Sequence, residues 1–450
     1  MPQNDLFKGR RVVYANRNLG SMLLLAPAIR HVILACAVVA CATALGVGSV
    51  RAEIGTAKTL ARVHDPVVMP GNALPAVKGQ HSEAFRLMRI EGGQPVPIPF
   101  QIDERDDDGD VVVSGPSDFA VDDNDELVFM AADTGDRAVG DVWPRSCTTV
   151  LEIAVVDPRN GNRGWAYLLT CPSAGPPPQT EPYVTYDVRT NRARSAFYET
   201  EYAKGRNYFT SLRVAGEGGA LGPNLVRRTM MRGLPTFSMF FTTVQLEFTE
   251  QNSIVRIDGV KNGPVRAIRK ARLSVDLGPL FPDLPNGTAY TYHYRTSYVT
   301  PTRFGIPSLA LRILREFSFE ALVDFDPKAM PLRYWDAVHD DGVQLNAAAD
   351  GPVVTSIDHD WWVHSGSGGA MLHAFIIPER WRDWGIVRGT VLRDHAAGYS
   401  LLNMTRLREA GDYDLLQAAI VLPDPYRAGD EVEPMAMVHD PLTTEIRRLR

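Results

Sequence analysis

Past its first fifty residues the chain has no long apolar run, and nothing there approaches the roughly 20 apolar residues that a spanning helix needs. A bundle of membrane helices is thereby excluded. Positive charge is also short: the formal net charge is −6, and removing residues 1–52 takes away six of the 47 Lys and Arg but one of the 53 Asp and Glu. What remains carries a charge near −11, which argues against a nucleic-acid partner. No repeat of fixed period is visible, so neither a propeller nor a solenoid is expected. Amphipathic helical patterns are scarce, with 307–316 and 401–410 as short candidates. Cysteine is scarcer still, with four in 450 residues.

The first 52 residues read as a signal peptide. Lys8, Arg10, Arg11, Arg17 and Arg30 precede an apolar run over 32–47, and Ser49-Val50-Arg51-Ala52 suits signal peptidase. The run is too short to span a bilayer, which predicts cleavage and a periplasmic or secreted product. The same residues admit other readings: a lipidated Cys41 after Val38-Val39-Ala40, twin-arginine export through Arg10-Arg11, an uncleaved anchor, and a start at Met22.

Cys36 and Cys41 leave with that leader, and the two cysteines that remain predict a disulfide in an oxidising compartment. Between Cys147 and Cys171 two strand-like runs flank the turn Asp157-Pro158-Arg159-Asn160-Gly161-Asn162. A turn centred on Arg159 sets Cys147 against Cys171, Thr149 against Leu169, Leu151 against Tyr167 and Ile153 against Trp165.

Period-2 alternation continues along the chain. Val244, Leu246 and Phe248 alternate with polar neighbours, as do Ala271, Leu273, Val275 and Leu277, and the odd-numbered residues from Phe317 to Phe325. The predicted fold is all-β, a large antiparallel sandwich or supersandwich with few short helices. Proline-rich 172–182 reads as a linker and 346–352 as a second loop. The expected division is an N-terminal β region, 53–175, and a main sandwich region, 176–450.

The most unusual composition lies over 101–141, where fourteen acidic residues face two basic ones, Arg105 and Arg137. Clustered carboxylates repel unless solvent or a cation neutralises them, and Ca²⁺ takes six to eight oxygens. Asp106, Asp108 and Asp110, with Glu104 and Gly109, follow the first half of an EF-hand loop, but Gly115 stands where its closing Glu belongs. Ca²⁺ held by Asp106, Asp108 and Asp110 is one reading, with ligands from Asp122, Asp123 or Asp125 as a variant. A solvated acidic loop with Asx turns is the other.

Pro97-Ile98-Pro99-Phe100-Gln101-Ile102-Asp103-Glu104, with Asp125-Glu126-Leu127-Val128-Phe129-Met130-Ala131 and Thr134-Gly135-Asp136, resembles the opening of uncharacterised secreted bacterial proteins. Similar Gln-Ile-Asp and Asp-Glu-Leu-x-Phe pairings occur in β-supersandwich proteins linked with pectin or rhamnogalacturonan breakdown. The resemblance covers about forty residues. It implies carbohydrate-related work and carries over no catalytic residue.

The candidate site lies in Asp358-His359-Asp360-Trp361-Trp362-Val363-His364, the glycine-rich loop after it, and His373. His359 and His364 are the candidate acid-base pair, while Trp361, Trp362 and His373 are candidate ligand contacts, since an exposed indole offers a sugar a flat apolar platform. On a regular strand His359 and His364 point to opposite faces, which opposes a shared metal. A hairpin through Ser367 would set His373 near Trp361. The loop is no phosphate cradle and its serines miss the nucleophile elbow.

Tyr290, Tyr292, Tyr294 and Tyr298 predict one aromatic face, buried or open to glycan. Arg266, Arg269, Lys270 and Arg272, near Arg227 and Arg228, are basic enough to receive an acidic sugar or the chain's own acidic loops, or to remain solvated. The leading expectation is an exported protein that binds extracellular carbohydrate, with processing of it as a further reading. The alternative is a noncatalytic envelope or surface scaffold whose acidic loops hold Ca²⁺ or face a protein partner.

Overall fold

Strands follow one another along nearly the whole computed structural model, which describes residues 55–450 apart from 116–118, 173–176, 217–218, 240, 276–283, 346–352, 394 and 423–424. The expected leader and second loop lie outside the described residues. Three short α-helices occur among the described residues, Ser308–Ile313, Glu379–Asp383 and Val432–His439. The first falls where a helix is expected, whereas 401–410 contributes only a 3-10 turn, Met404–Arg406. All strand pairings are antiparallel, and the fold is the all-β sandwich that the alternation predicts.

The centre is a nine-stranded sheet. It starts with Ser253–Asn262, Ala267–Val275, Leu284–His293 and Ser297–Ile306, and continues through Gly411–Leu422 to the hairpin Gly369–Ile376 and Trp361–Gly366. One face packs on a seven-stranded sheet built around Val226–Met239, Leu314–Phe325 and Ala396–Leu402, and on a four-stranded sheet containing Tyr198–Tyr202 and Phe209–Val214. Trp362, Phe325, Phe375, Trp381 and Tyr413 are the large side chains of that core. The other face meets a three-stranded sheet, Pro66–Pro70, Glu126–Met130 and Gln101–Asp103, through Ile268, Tyr292, Tyr294, Val128 and Met130.

That small sheet is covered in turn by a five-stranded sheet, with Phe129, Leu127, Ile153 and Leu168 between them. The outermost strand of the five is Thr443–Arg448, paired with Thr149–Val156. The expected boundary near residue 175 therefore does not separate two closed bodies: a C-terminal strand completes the N-terminal sheet, and residues 53–450 form one unit.

Cys147 and Cys171 are bonded as predicted, but the hairpin between them is shifted by one residue. Val156 pairs with Arg163, so Leu151 lies opposite Leu168 and Ile153 opposite Ala166, not Tyr167 and Trp165. The turn sets the shift. Asp157 accepts the Arg159 amide on its carboxylate at 3.0 Å and donates its own amide to Asn162, while Gly161 takes the left-handed φ of +75° that closes the loop. Both faces of this hairpin are buried: Leu151, Ile153 and Leu168 face the small sheet, while Trp165, Tyr167 and the disulfide face the other way.

Strand parity also divides the basic strand. Arg266, Ile268 and Lys270 point to the outer face of the central sheet, and Ala267 and Arg269 to its inner face. The outward residues receive the chain's own acidic segment. Arg266 donates to Asp103 at 2.8 Å, to Glu126 at 2.6 Å and to the Tyr294 hydroxyl at 2.9 Å, and Lys270 pairs with Asp110 at 2.7 Å. Burial alone would raise Asp103, but Arg266 and Lys261 hold it below the usual carboxylate range. Tyr290 donates to Asp110 at 2.7 Å, so the face of Tyr290, Tyr292 and Tyr294 is closed by that segment. Tyr298 departs from the expected row: it lies on the next strand and packs in the inner core.

Candidate functional site

Where the central sheet faces the seven- and four-stranded sheets, their side chains leave a cleft of about 240 Å³. Buried Trp362, His373 and Ala419 line its floor, while half-buried Asn207, Tyr208, Phe319 and Leu415 line its rim. Inward positions of the hairpin and of Gly411–Leu422 supply the floor, and the connection between Tyr198–Tyr202 and Phe209–Val214 supplies Asn207 and Tyr208.

The hairpin register puts His373 across from Trp362 rather than Trp361. The two rings stack at 4.1 Å with 15° between planes. His373 Nε2 and His364 Nδ1 are 3.1 Å apart, one donating and the other accepting, and Phe325 packs edge-on against His364. Burial depresses His364 to about 3, and burial with the neighbouring imidazole depresses His373 well below its ordinary value. Both are therefore neutral at physiological pH. The Trp362 indole N–H and His364 Nε2 are buried without a hydrogen-bond partner among the described residues.

These positions correct the expected roles. His364 is fully buried and meets His373, not His359, and Trp362 is a core side chain rather than an exposed platform. Trp361 is half-buried and packs toward the other face of the sheet. His359 is half-buried ahead of the strand, does not line the cleft, and is followed by Asp360, which pairs with His439 at 2.7 Å. Of the expected contacts, the fold brings Trp362 and His373 to the cleft and leaves His359, Trp361 and His364 out of its lining.

Asp106 and Asp110 of the candidate cation loop bond within the chain. Asp106 Oδ1 accepts the amides of Asp108 and Asp110 at 3.1 and 2.9 Å, Asp110 is held by Lys270 and Tyr290, and Asp108 is exposed. Among the described residues no three His, Cys, Asp or Glu side chains converge as a cation cage.

Buried behind the rim lies a polar cluster that sequence reasoning missed. Tyr198 donates its hydroxyl proton to the Ser297 carbonyl at 2.9 Å, so His293 Nδ1 donates to Tyr198 and His293 Nε2 accepts from Tyr202, each at 3.2 Å. Burial, then the charge of Arg269, depresses His293 to about 3. The Arg269 guanidinium lies 4.1 Å over the Tyr202 ring and donates to Asn207 Oδ1 and to the Arg206 carbonyl. Nearby Glu250 accepts from the Met231 amide at 3.2 Å and pairs with Arg228 at 3.2 Å. Tyr202, Asn207, Tyr208 and Glu250 line the cleft. The available signal was the odd number of Arg269 in a basic strand whose other members are even.

No family model matches the sequence, and no curated protein matches it. Among solved structures, an α-mannosidase from Enterococcus faecalis V583 is similar at 10% identity and a TM-score of 0.48, covering 87% of this chain and 45% of that one. A protein in glycosyl hydrolase family 38 from Enterococcus faecalis is similar at 10% identity and a TM-score of 0.45, covering 87% and 47%. The chain spans about half the length of each of these proteins.

Proposed function

We propose that the protein is an exported β-sandwich that binds carbohydrate in the cleft between its large sheets. The observation that carries this reading is the lining: half-buried Tyr208, Phe209 and Phe319 offer apolar ring surface beside the polar groups of Asn207, Glu250 and Ser253. A sugar ring presents the complementary pattern, an apolar face bordered by hydroxyls that both donate and accept. The Cys147–Cys171 disulfide and the basic, then apolar, leader both suit an oxidising compartment outside the cytoplasm.

Binding is favoured over hydrolysis. Glycoside hydrolysis ordinarily uses two carboxylates flanking the bond, and Glu250 is the one carboxylate among the described residues that line the cleft. The reading is tested by glycan-array screening of residues 53–450, followed by calorimetric titration of any ligand found. Asn207→Ala and Tyr208→Ala, both on the rim, are expected to weaken binding about tenfold each, the loss of a ligand hydrogen bond or ring contact. A protein that retains no glycan on the array, or whose binding ignores both substitutions, is not a carbohydrate binder at this cleft.

A further inference from the structure

We infer that the ligand carries a carboxylate seated at the rim beside Asn207, in front of the buried charge of Arg269. This rests on the cleft being the binding site, and it names the class of sugar the cleft takes.

The argument begins with the buried arginines. Arg62, Arg266, Arg269 and Arg388 are all nearly inaccessible. Arg62 meets Asp65 and Asp157, Arg266 meets Asp103 and Glu126, and Arg388 meets Asp358 and Asp360 at 3.6 and 3.9 Å. Arg269, at 0% exposure, has no carboxylate within 4 Å among the described residues. Its neighbours are an amide oxygen, a backbone carbonyl, the Tyr186 hydroxyl and the face of Tyr202, and its Nε is buried without a partner among the described residues. A buried charge is ordinarily paired because desolvation is costly. Among the described residues Arg269 has no compensating carboxylate.

Position says where that anion would sit. Arg269 faces the interior of the sandwich, directly behind Tyr202 and Asn207, which line the cleft. By donating to Asn207 Oδ1 it fixes the carboxamide, so that the Asn207 NH₂ group turns away from the guanidinium as a pair of donors. Those donors have no hydrogen-bond acceptor among the described residues, which suits a ligand group that accepts. The wider rim agrees in sign. Arg206 donates to the Ser253 carbonyl at 2.6 Å, and Arg228 pairs with Glu250, the one carboxylate among the described lining residues. A second acid beside Arg228, Asp324, lies 3.6 Å from it and already pairs with Arg227 and His395. Arg269 is thus a positioning residue, orienting Asn207 and supplying a field, and Asn207 makes the contact.

Two kinds of sugar bring this chemistry, a uronic acid with its carboxylate on the ring and a sialic acid with its carboxylate at the anomeric carbon. The experiment titrates residues 53–450 with a glucuronate trisaccharide, the methyl ester of that trisaccharide, cellotriose, and sialyllactose. The expected result is binding of one acidic sugar about tenfold or more tighter than the ester and cellotriose, with the two acids distinguished by which one binds. Arg269→Gln removes the charge and should bring acid and ester to within about twofold of each other. Because that substitution is in the core, Asn207→Asp provides an independent test. It supplies Arg269 with a carboxylate, and is expected to raise the melting temperature while abolishing the preference for acid.

Equal binding of acid, ester and cellotriose by the parent protein overturns the inference and leaves the cleft reading intact. Failure to bind any of the four counts against both. An Asn207→Asp protein that is destabilised, or that still prefers the acid, shows that Arg269 is not short of a counter-charge.

Discussion

The histidines show how far a single residue's role is set by surroundings that a sequence does not display. His359, His364 and His373 stand within fifteen positions of one another and invite a shared site. Parity correctly opposes His359 to His364, but it cannot tell which face is dry, and the register that sets His373 opposite Trp362 depends on a turn between two glycines, Gly366 and Gly369. The consequence is measurable. His293, His364 and His373 are neutral in the folded protein, whereas an unfolded chain protonates imidazole near pH 6.5. The unfolded state then binds more protons as pH falls, so stability is full above about pH 6.5 and declines toward pH 3, where His293 and His364 protonate in the fold. Between pH 7 and 5.5 the loss should be roughly 1 kcal/mol per histidine, roughly 3 in all. Urea unfolding at the two pH values measures it, and His293→Gln should remove about one proton from the difference. Equal stability at pH 7 and 5.5 would contradict the burial of these rings.

At the scale of elements, the alternation of Ala271 and Leu273 and of the residues from Phe317 to Phe325 located strands correctly, because period 2 is a local property. Tyr290, Tyr292 and Tyr294 likewise share a face, and the acidic loops that cover it were one of several partners the neighbouring basic strand suggested, with no local signal to choose among them. The acidic segment that packs there is some 160 residues away in sequence, as the Asp110 to Lys270 pair illustrates. The segment's composition suggested a cation, and the partners it meets are Arg266, Lys261 and Lys270. Breaking this clamp on one side should be costly. Arg266→Met leaves Asp103 buried beside Lys261 alone, and a loss of about 3–5 kcal/mol is expected from denaturant unfolding. Asp103→Leu combined with Arg266→Met should lose less, since neither charge is then stranded. If the double variant is the weaker one, the clamp stabilises by more than charge pairing.

For the whole molecule, the expected boundary near residue 175 is crossed by a strand that returns from the far end of the chain, and no local signal marks that strand. Thr443–Arg448 is short, polar and exposed on most of its positions, and only pairing with Thr149–Val156 makes it part of a sheet. The central sheet is also buried on both faces, so a fragment beginning at residue 176 would expose Ile268, Tyr292 and Tyr294, which the N-terminal region covers. Expressed alone, residues 176–450 should bind a hydrophobic dye and unfold without a cooperative transition, whereas 53–450 should unfold in one. A fragment that is monomeric and cooperative would restore the two-domain division.

The pairing of residue 156 with residue 443 also has a consequence in time. A chain emerging from its N-terminus, from a ribosome or through a membrane pore, presents Thr149–Val156 long before its neighbour strand arrives. Until then that strand has an unsatisfied backbone edge, open to pairing with other chains. The charges on Glu445, Arg447 and Arg448 protect the finished edge but cannot act during the wait. Folding of the first sheet is thus governed by delivery of the last strand, a delay during which a chaperone would have an edge to hold.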